Sequence, residues 1–132
     1  MMEEKCLYIG RWIVCFIFAL EGYDEERILN ILSEAGGNDA VLEQASDLMS
    51  SRRLNKAFTY TNADHMIAII VIGPVSSRDE FIDSIIHEIH HLAVVIASNV
   101  GVDLEGEAPA YLSGDLARDM AEYICNLGCH LV

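Results

Sequence analysis

The stretch SRDEFIDSIIHEIHHLAVVIASNVG, from Ser77 to Gly101, decides the fold class that the sequence predicts. Ser77 followed by Glu80 is a capping box, in which the two side chains satisfy backbone N–H groups at a helix start. Gly101 marks a helix stop, because glycine tolerates the left-handed conformation in which many helices end. The sequence therefore predicts a helix over residues 78–100.

Apolar side chains recur along this helix at spacings of three, four and seven residues, as in a helix with one buried face. At about 100° per residue, His87 and His91 lie almost opposite that stripe. We expect the helix to pack on one side and to offer its histidines on the other. The stripe consists of Ile82, Ile85, Ile86, Ile89, Ala93, Ile96 and Val100.

The motif His87-Glu88-Ile89-His90-His91 puts two imidazoles one helical turn apart on one face, close enough to hold one ion. Catalytic zinc takes about three protein ligands, often two histidines and a carboxylate, and keeps one position for water. Glu88 is rotated away from the ligand pair, so it can face that water and act as general base. The motif predicts one zinc ion per chain and a hydrolytic function.

A third ligand is expected from the next helix, which follows a short turn at 101–103. Pro109 is tolerable only in a first helical turn, where its missing N–H has no intrahelical partner, so this helix starts at about 104–107. Glu107 then lies at the opening of a helix that packs back against the histidines, and it can reach the metal. Glu105, two residues away, stays open as the alternative ligand.

HEIHH with a downstream glutamate on the next helix resembles the gluzincin metallopeptidases, in their minimal single-domain form. The run Gly-Glu-x-x-Ala-Tyr-Leu-x-Gly at 106–114 is also similar to small phage- and prophage-encoded proteins of this kind. The resemblance covers residues 56–126. It implies His87, His91 and Glu107 as zinc ligands, with Glu88 as general base and acid.

The chain departs from the family pattern at two positions. His90 occupies a place that is usually uncharged and often apolar, and Tyr111 stands one turn after Glu107, where an aspartate would be expected to support the ligands. The Tyr111 hydroxyl could bond a ligand carboxylate or stabilise an oxyanion. The alternative, which we favour, is a partly buried aromatic that anchors two helices. We interpret His90 as a helix-surface or boundary residue. Asp115 could orient a histidine N–H, but we favour its interpretation as an exposed helix carboxylate. We assign His65 and His130 no role.

Length and composition limit the remaining possibilities. A chain of 132 residues that is 52% hydrophobic fits one globular domain with a real core. The net charge of −13 argues against partners with anionic surfaces, namely nucleic-acid backbones and anionic membranes. It suits a cationic peptide or protein partner, or serves only as an acidic surface for solubility.

The apolar run from Trp12 to Leu20 is too short for a transmembrane helix and lacks the flanks of a signal peptide, so we expect a cytoplasmic protein. We interpret it as part of one buried strand over about 7–20. The four cysteines form no CxxC pair, and without a secretory signal we expect buried thiols rather than disulfides. Cys125 and Cys129 share a helix face, so metal binding there is possible in principle.

The remaining segments predict further helices and strands. Asp24 caps a helix of about 25–35 that Gly36-Gly37 ends, and Asn38 or Asp39 opens a second of about 39–51. Lys56–Thr61 and Met66–Ile72 predict a hairpin with a four-residue loop, after which Gly73-Pro74 breaks the sheet. Met66–Ile72 is expected either as an edge strand that pairs with substrate backbone or as an interior strand; its continuous apolar character favours the interior.

These patterns together predict an α+β fold: a compact zincin-like single domain over 1–132, with a small, mainly antiparallel sheet packed on helices. The HExxH helix would be followed by the glutamate-bearing helix. Three functions compete. The first is a zinc peptidase that acts on a peptide or protein. The second is a zinc-binding protein without turnover, such as a phage-associated structural or interaction protein. The third is a metal-free helical domain whose HEIHH is coincidental.

Overall fold

The structure, a computed structural model, describes residues 2–100 and 107–129. It contains eight elements in the order β1 (Glu3–Ile9), β2 (Trp12–Phe18), α1 (Glu25–Glu34), α2 (Asp39–Ser50), β3 (Ala57–Asn62), β4 (Ile67–Ile72), α3 (Arg78–Val100) and α4 (Ala108–Cys129). The chain divides into two compact units, Met1–Val75 and Ser76–Val132. The predicted α+β class is confirmed, while the assignment of all 132 residues to one zincin-like domain stays a prediction.

The first unit contains one four-stranded sheet with the strand order β1-β2-β4-β3. The two central strands, β2 and β4, run parallel, and each also pairs with an antiparallel outer strand. The sheet is therefore mixed, although two of its three pairings are antiparallel as expected. The interior position of β4 confirms the interpretation that its continuous apolar run indicates a strand paired on both sides.

The single strand predicted for residues 7–20 is wrong, because the chain reverses at Gly10 and Arg11 and forms the hairpin of β1 and β2. Gly10 takes a positive φ of 58°, the conformation that tight hairpin turns require and that glycine adopts at little cost. The glycine between two apolar stretches is the sequence feature that indicates this turn. β1 is exposed along most of its length, whereas β2 is largely buried.

Helices α1 and α2 begin at the predicted caps. The Asp24 carboxylate accepts a hydrogen bond from the Arg27 backbone N–H at 3.2 Å, and the Asn38 side chain accepts one from the Val41 N–H at 3.0 Å. α1 ends before Gly36, whose φ is +99°. Both predicted helices are thus confirmed, with bounds within one residue of those expected.

One face of the sheet packs against α1 and α2. Strand side chains alternate between the two faces, so every second residue of β2 and β4 enters this core. The side chains of the opposite face of these two strands are also buried, including Val14, Phe16 and Ile70. The core with α1 and α2 contains Ile17, Ile28, Leu32, Ala35, Ala45, Met49, Ile69 and Val71.

The second unit contains α3 and α4, which pack against each other. α3 begins as predicted, with the Glu80 backbone N–H donating to the Ser77 hydroxyl at 3.1 Å. Its buried face contains Phe81, Ile85, Ile89, Leu92 and Ile96, and α4 contributes the buried Leu116 and Met120.

The predicted apolar stripe of α3 is partly wrong, because Ile82 and Ile86 are 38% and 50% exposed. The buried face is rotated toward Phe81 and Leu92, by about half of the 100° step between neighbouring residues. Apolar residues occupy more than half of this helix's circumference, so periodicity alone does not determine which side of the helix is buried. Burial of the large Phe81 ring favours the observed orientation.

The expected buried thiols are not found at Cys6 and Cys15. These two residues face each other across β1 and β2, with Cα atoms 4.1 Å apart, and form a disulfide. Cys125 is a free cysteine, but it is exposed rather than buried. The side chain of Cys129 lies outside the described part of the chain, as does the suggested pairing with Cys125.

One helix within the described residues, α3, is long and apolar enough to cross a membrane by length and composition. Half of an apolar 18-residue window of this helix is buried in the structure, and the core helix of a soluble protein meets the same criteria.

Gly73 tests the packing of the first unit. A Cβ atom there would collide with the aromatic ring and hydroxyl of Tyr23. We expect Gly73→Ala to lower the free energy of unfolding by about 1–3 kcal/mol, as overpacking does in buried sites. Gly114→Ala is the matched control, because nothing lies within 4 Å of the added Cβ and alanine favours the interior of α4. Urea denaturation measures the free energy of unfolding of both variants. An equal decrease in the two would contradict close packing of Tyr23 against Gly73.

Tyr23 supplies a second test, because its hydroxyl is buried without a hydrogen-bond partner among the described residues. We expect Tyr23→Phe to stabilise the protein by about 1 kcal/mol at neutral pH. Burial raises the pKa of Tyr23 above its ordinary value of 10.0. The unfolded chain therefore loses this proton first, and wild-type stability falls as the pH rises above about 10. Urea denaturation at about pH 7 and pH 11 measures this effect. The free energy of unfolding of Tyr23→Phe should fall less between the two pH values than that of the wild type.

Candidate metal centre

The geometry of α3 places the two motif histidines side by side. His87 and His91 are one turn apart, and their ring centroids are 4.4 Å from each other at an interplanar angle of 53°. Both imidazoles are exposed. Because both side chains project from the same side of one continuous helix, their proximity follows from local structure alone.

Glu88 completes the group. The potential ligand atoms of His87, Glu88 and His91 all lie within 4.8 Å of one another, and within the described ranges these residues form the one such group of three. Nitrogen ligands of one tetrahedral zinc ion are roughly 3.3 Å apart, given Zn–N distances of about 2.0–2.1 Å. The 4.8 Å limit exceeds this separation, so the exposed rings would rotate about their side-chain bonds to bind one ion. The donor set could therefore hold a metal ion through two imidazoles.

The carboxylate of Glu88 differs from the imidazoles in its environment. Glu88 is only 7% exposed, whereas both histidines are open to solvent. Around the helix it lies between His91 and the buried Leu92, at the boundary of the packed face. The motif predicts Glu88 beside the ligands but rotated away from them. The structure brings its carboxylate into the same group of atoms, so it is near enough to act on anything bound there.

Glu107, the expected third ligand, precedes α4 directly. Its side chain is exposed, and its backbone carbonyl accepts a hydrogen bond from the Tyr111 N–H at 3.0 Å, which helps to form the first turn. Pro109 lies in that first turn, as predicted. Glu107 is not a member of the group formed by His87, Glu88 and His91. Its role as a ligand stays a prediction, and Glu105 lies outside the described residues.

Five further residues were interpreted from the sequence. Tyr111 is 69% exposed, so the favoured interpretation as a partly buried anchor between helices is wrong. Asp115 is an exposed helix carboxylate, as expected, and its Oδ1 lies 3.5 Å from the Arg118 guanidinium. His90 is exposed on α3, which confirms it as a helix-surface residue. His65 is exposed in the β3–β4 turn, and His130 lies outside the described part of the chain.

The sequence motifs indicate no function for the adjacent Arg52 and Arg53. Both line a cavity in the first unit, together with the ring of Tyr23. The available signal was the pairing of two arginines in a chain that has only eight basic residues against 21 acidic ones.

Comparisons with protein-family models, with curated proteins and with solved structures find no match for this chain. The resemblance to gluzincins therefore depends on the motif residues alone.

Zinc titration tests the centre. We expect the wild type to bind one zinc ion per chain, and His87→Ala and His91→Ala each to weaken binding at least about tenfold through the loss of a ligand. His90→Ala is the matched control, since this histidine is exposed on the same helix but does not belong to the group. Competition with a chromophoric chelator measures the affinities. An equal loss in His90→Ala would contradict the assignment of His87 and His91.

Glu107→Ala is measured in the same titration. A loss comparable to that of His91→Ala would identify Glu107 as the third ligand, whereas unchanged affinity would exclude it.

Proposed function

We propose that the protein is a zinc-dependent peptidase. The observation that carries this proposal is the meeting of two exposed imidazoles, His87 and His91, with the nearly buried carboxylate of Glu88 in one group on α3. An HExxH helix uses the same three residue types for metal binding and proton transfer. In this proposal α3 and α4 form the core of a minimal zincin-like site, with Glu107 as the third protein ligand.

In the proposed reaction the metal activates the water and the substrate carbonyl, and Glu88 transfers the proton. Zinc, when bound, supplies a Lewis acid that lowers the pKa of a water molecule toward about 7 and polarises the substrate carbonyl. A carboxylate oxygen of Glu88 takes the proton of the attacking water as the new C–O bond forms. It then delivers that proton to the amide nitrogen as the C–N bond breaks, so one water is consumed for each peptide bond.

The location of Glu88 supports this role. Because the carboxylate lies at the boundary of the packed face, neighbouring side chains restrict its rotamers and hold it near His91. A freely rotating carboxylate on the exposed side of α3 would spend most of its time away from the ligands. The exposed imidazoles, by contrast, leave room for an ion and a peptide to approach.

The charge of the chain favours one kind of substrate. With a net charge of −13, the protein attracts cationic peptides and repels anionic ones, so we propose a peptide or protein with basic residues as substrate. Tyr111, which is exposed one turn after Glu107, is available to donate a hydrogen bond to the oxyanion. Nucleic acids and anionic membranes are disfavoured as partners by the same charge.

One observation favours a second function, a zinc-binding structural or interaction protein without turnover. Glu107 does not belong to the described ligand group, so two exposed histidines would need a ligand from elsewhere. A partner chain could supply it, and hydrolysis would then not be required. The phage-associated role inferred from the motif resemblance belongs to this second proposal.

Glu88→Gln distinguishes the two functions. The substitution keeps the size of the side chain but removes the base, so we expect cleavage of a library of basic peptides to fall by about 10²–10⁴-fold. Mass spectrometry of the digested library measures the rate, and zinc affinity is checked in parallel. Glu122→Gln, at an exposed position of α4, is the matched control and should cleave like the wild type.

Cleavage that is identical in wild type and Glu88→Gln would reveal a contaminating peptidase and contradict the proposal. Zinc binding without any cleavage by the wild type would support the second function instead.

A further inference from the structure

A cavity of about 400 Å³ lies in the first unit, away from the histidines in sequence. Its walls come from the segment after β2, the end of α2, the loop that follows α2, and Pro74 after β4. β2 and β4 are the parallel central strands, so their carboxyl ends meet at this edge of the sheet. In open α/β sheets, crevices outside the carboxyl ends of parallel strands are the common place for ligands.

Two guanidinium groups distinguish this cavity. Arg52 and Arg53 both line it, and neither forms an ion pair within the described residues, where the arginines in ion pairs are Arg27 and Arg118. Among the described residues of the wall, the one carboxylate is that of Glu25, which accepts a hydrogen bond from the Ser50 hydroxyl at 3.2 Å. The cavity therefore holds an excess of positive charge in a chain whose net charge is −13.

The loop that carries the arginines is held in place by hydrogen bonds. The Ser51 hydroxyl donates to the Leu48 carbonyl at 2.7 Å at the end of α2, and the Asn55 backbone N–H donates to the Pro74 carbonyl at 2.8 Å. Arg52 takes a φ of +55°, a left-handed conformation where helices usually have glycine. The sequence keeps a long cationic side chain at a position that disfavours it, and strained positions of this kind concentrate at functional sites.

The rest of the wall is suited to an organic group. Tyr23, Met49, Leu54 and Pro74 contribute aromatic and aliphatic surface, and Leu54 is 54% exposed although it is a large apolar residue. A volume of about 400 Å³ is larger than a bare phosphate or sulfate ion needs and falls in the range of small-molecule sites.

We propose that this cavity binds a small organic phosphate, with the phosphate on Arg52 and Arg53 and the organic group against Tyr23, Met49 and Leu54. Two adjacent guanidinium groups match the near-dianionic charge and the several acceptor oxygens of a phosphate monoester better than the single charge of a carboxylate. The Glu25 carboxylate can accept a hydrogen bond from a hydroxyl or amino group of the ligand. This inference is independent of the proposed peptidase.

Binding of four probes tests the proposal: phenyl phosphate, inorganic phosphate, benzoate and phenol, each titrated calorimetrically into the full chain. Phenyl phosphate should bind saturably, at least about tenfold more tightly than any of the other three, because it alone has both a dianionic head and an aromatic body. Its affinity should also fall as salt is raised. Tighter binding of benzoate or phenol than of phenyl phosphate would overturn the assignment, as would the absence of saturable binding.

Variants locate the site. Arg52→Gln/Arg53→Gln should weaken phenyl phosphate binding about 100-fold and Arg53→Gln alone about tenfold, since each guanidinium contributes charge-assisted hydrogen bonds. Arg78→Gln, at an exposed position in the other unit, is the matched control and should bind like the wild type. Circular dichroism checks the fold of each variant, and the single Arg53→Gln serves if the double variant unfolds. Unchanged affinity in a folded arginine variant would overturn the proposal.

Discussion

The parallel pairing of β2 with β4 is the constraint on which the first unit depends. Parallel neighbours cannot be joined by a tight turn, so the chain must leave the sheet between them. It does so through α1 and α2 and returns by the β3–β4 hairpin. Side chains on both faces of the two central strands are buried, which explains why their sequences are continuous apolar runs rather than alternating ones. The same pairing brings the carboxyl ends of both strands together, where the arginine-lined cavity lies.

The second unit depends on a simpler rule, the periodicity of one helix. Residues four apart share a side of α3, so the imidazoles of His87 and His91 are neighbours whatever the helix packs against. The burial of Glu88, by contrast, depends on residues outside its own helical turn. Whether the carboxylate after the first histidine is exposed or buried depends on which side of α3 is packed, and the rotation of the buried face toward Phe81 and Leu92 places Glu88 at its boundary.

The two candidate sites differ in how visible they were in the sequence. HEIHH is a contiguous motif, and its residue types and spacing indicate zinc chemistry before any fold is known. The arginine-lined cavity is assembled from four segments between Gly22 and Pro74, and only the adjacent pair of arginines hints at it. Sites built from separate loops need the topology first, because no spacing along the chain records which loops meet at one edge of a sheet.

Residue types and their spacing were enough to predict the local features: the caps at Asp24, Asn38 and Ser77, the interior character of β4, and the histidine pair on α3. Each depends on interactions over four residues or fewer, or on the polarity of a short run. The Cys6–Cys15 disulfide and the exposure of Ile82, Ile86 and Tyr111 were decided only in the folded chain. Those outcomes depend on which surfaces meet, and an apolar helix with several possible buried faces does not specify its own partner.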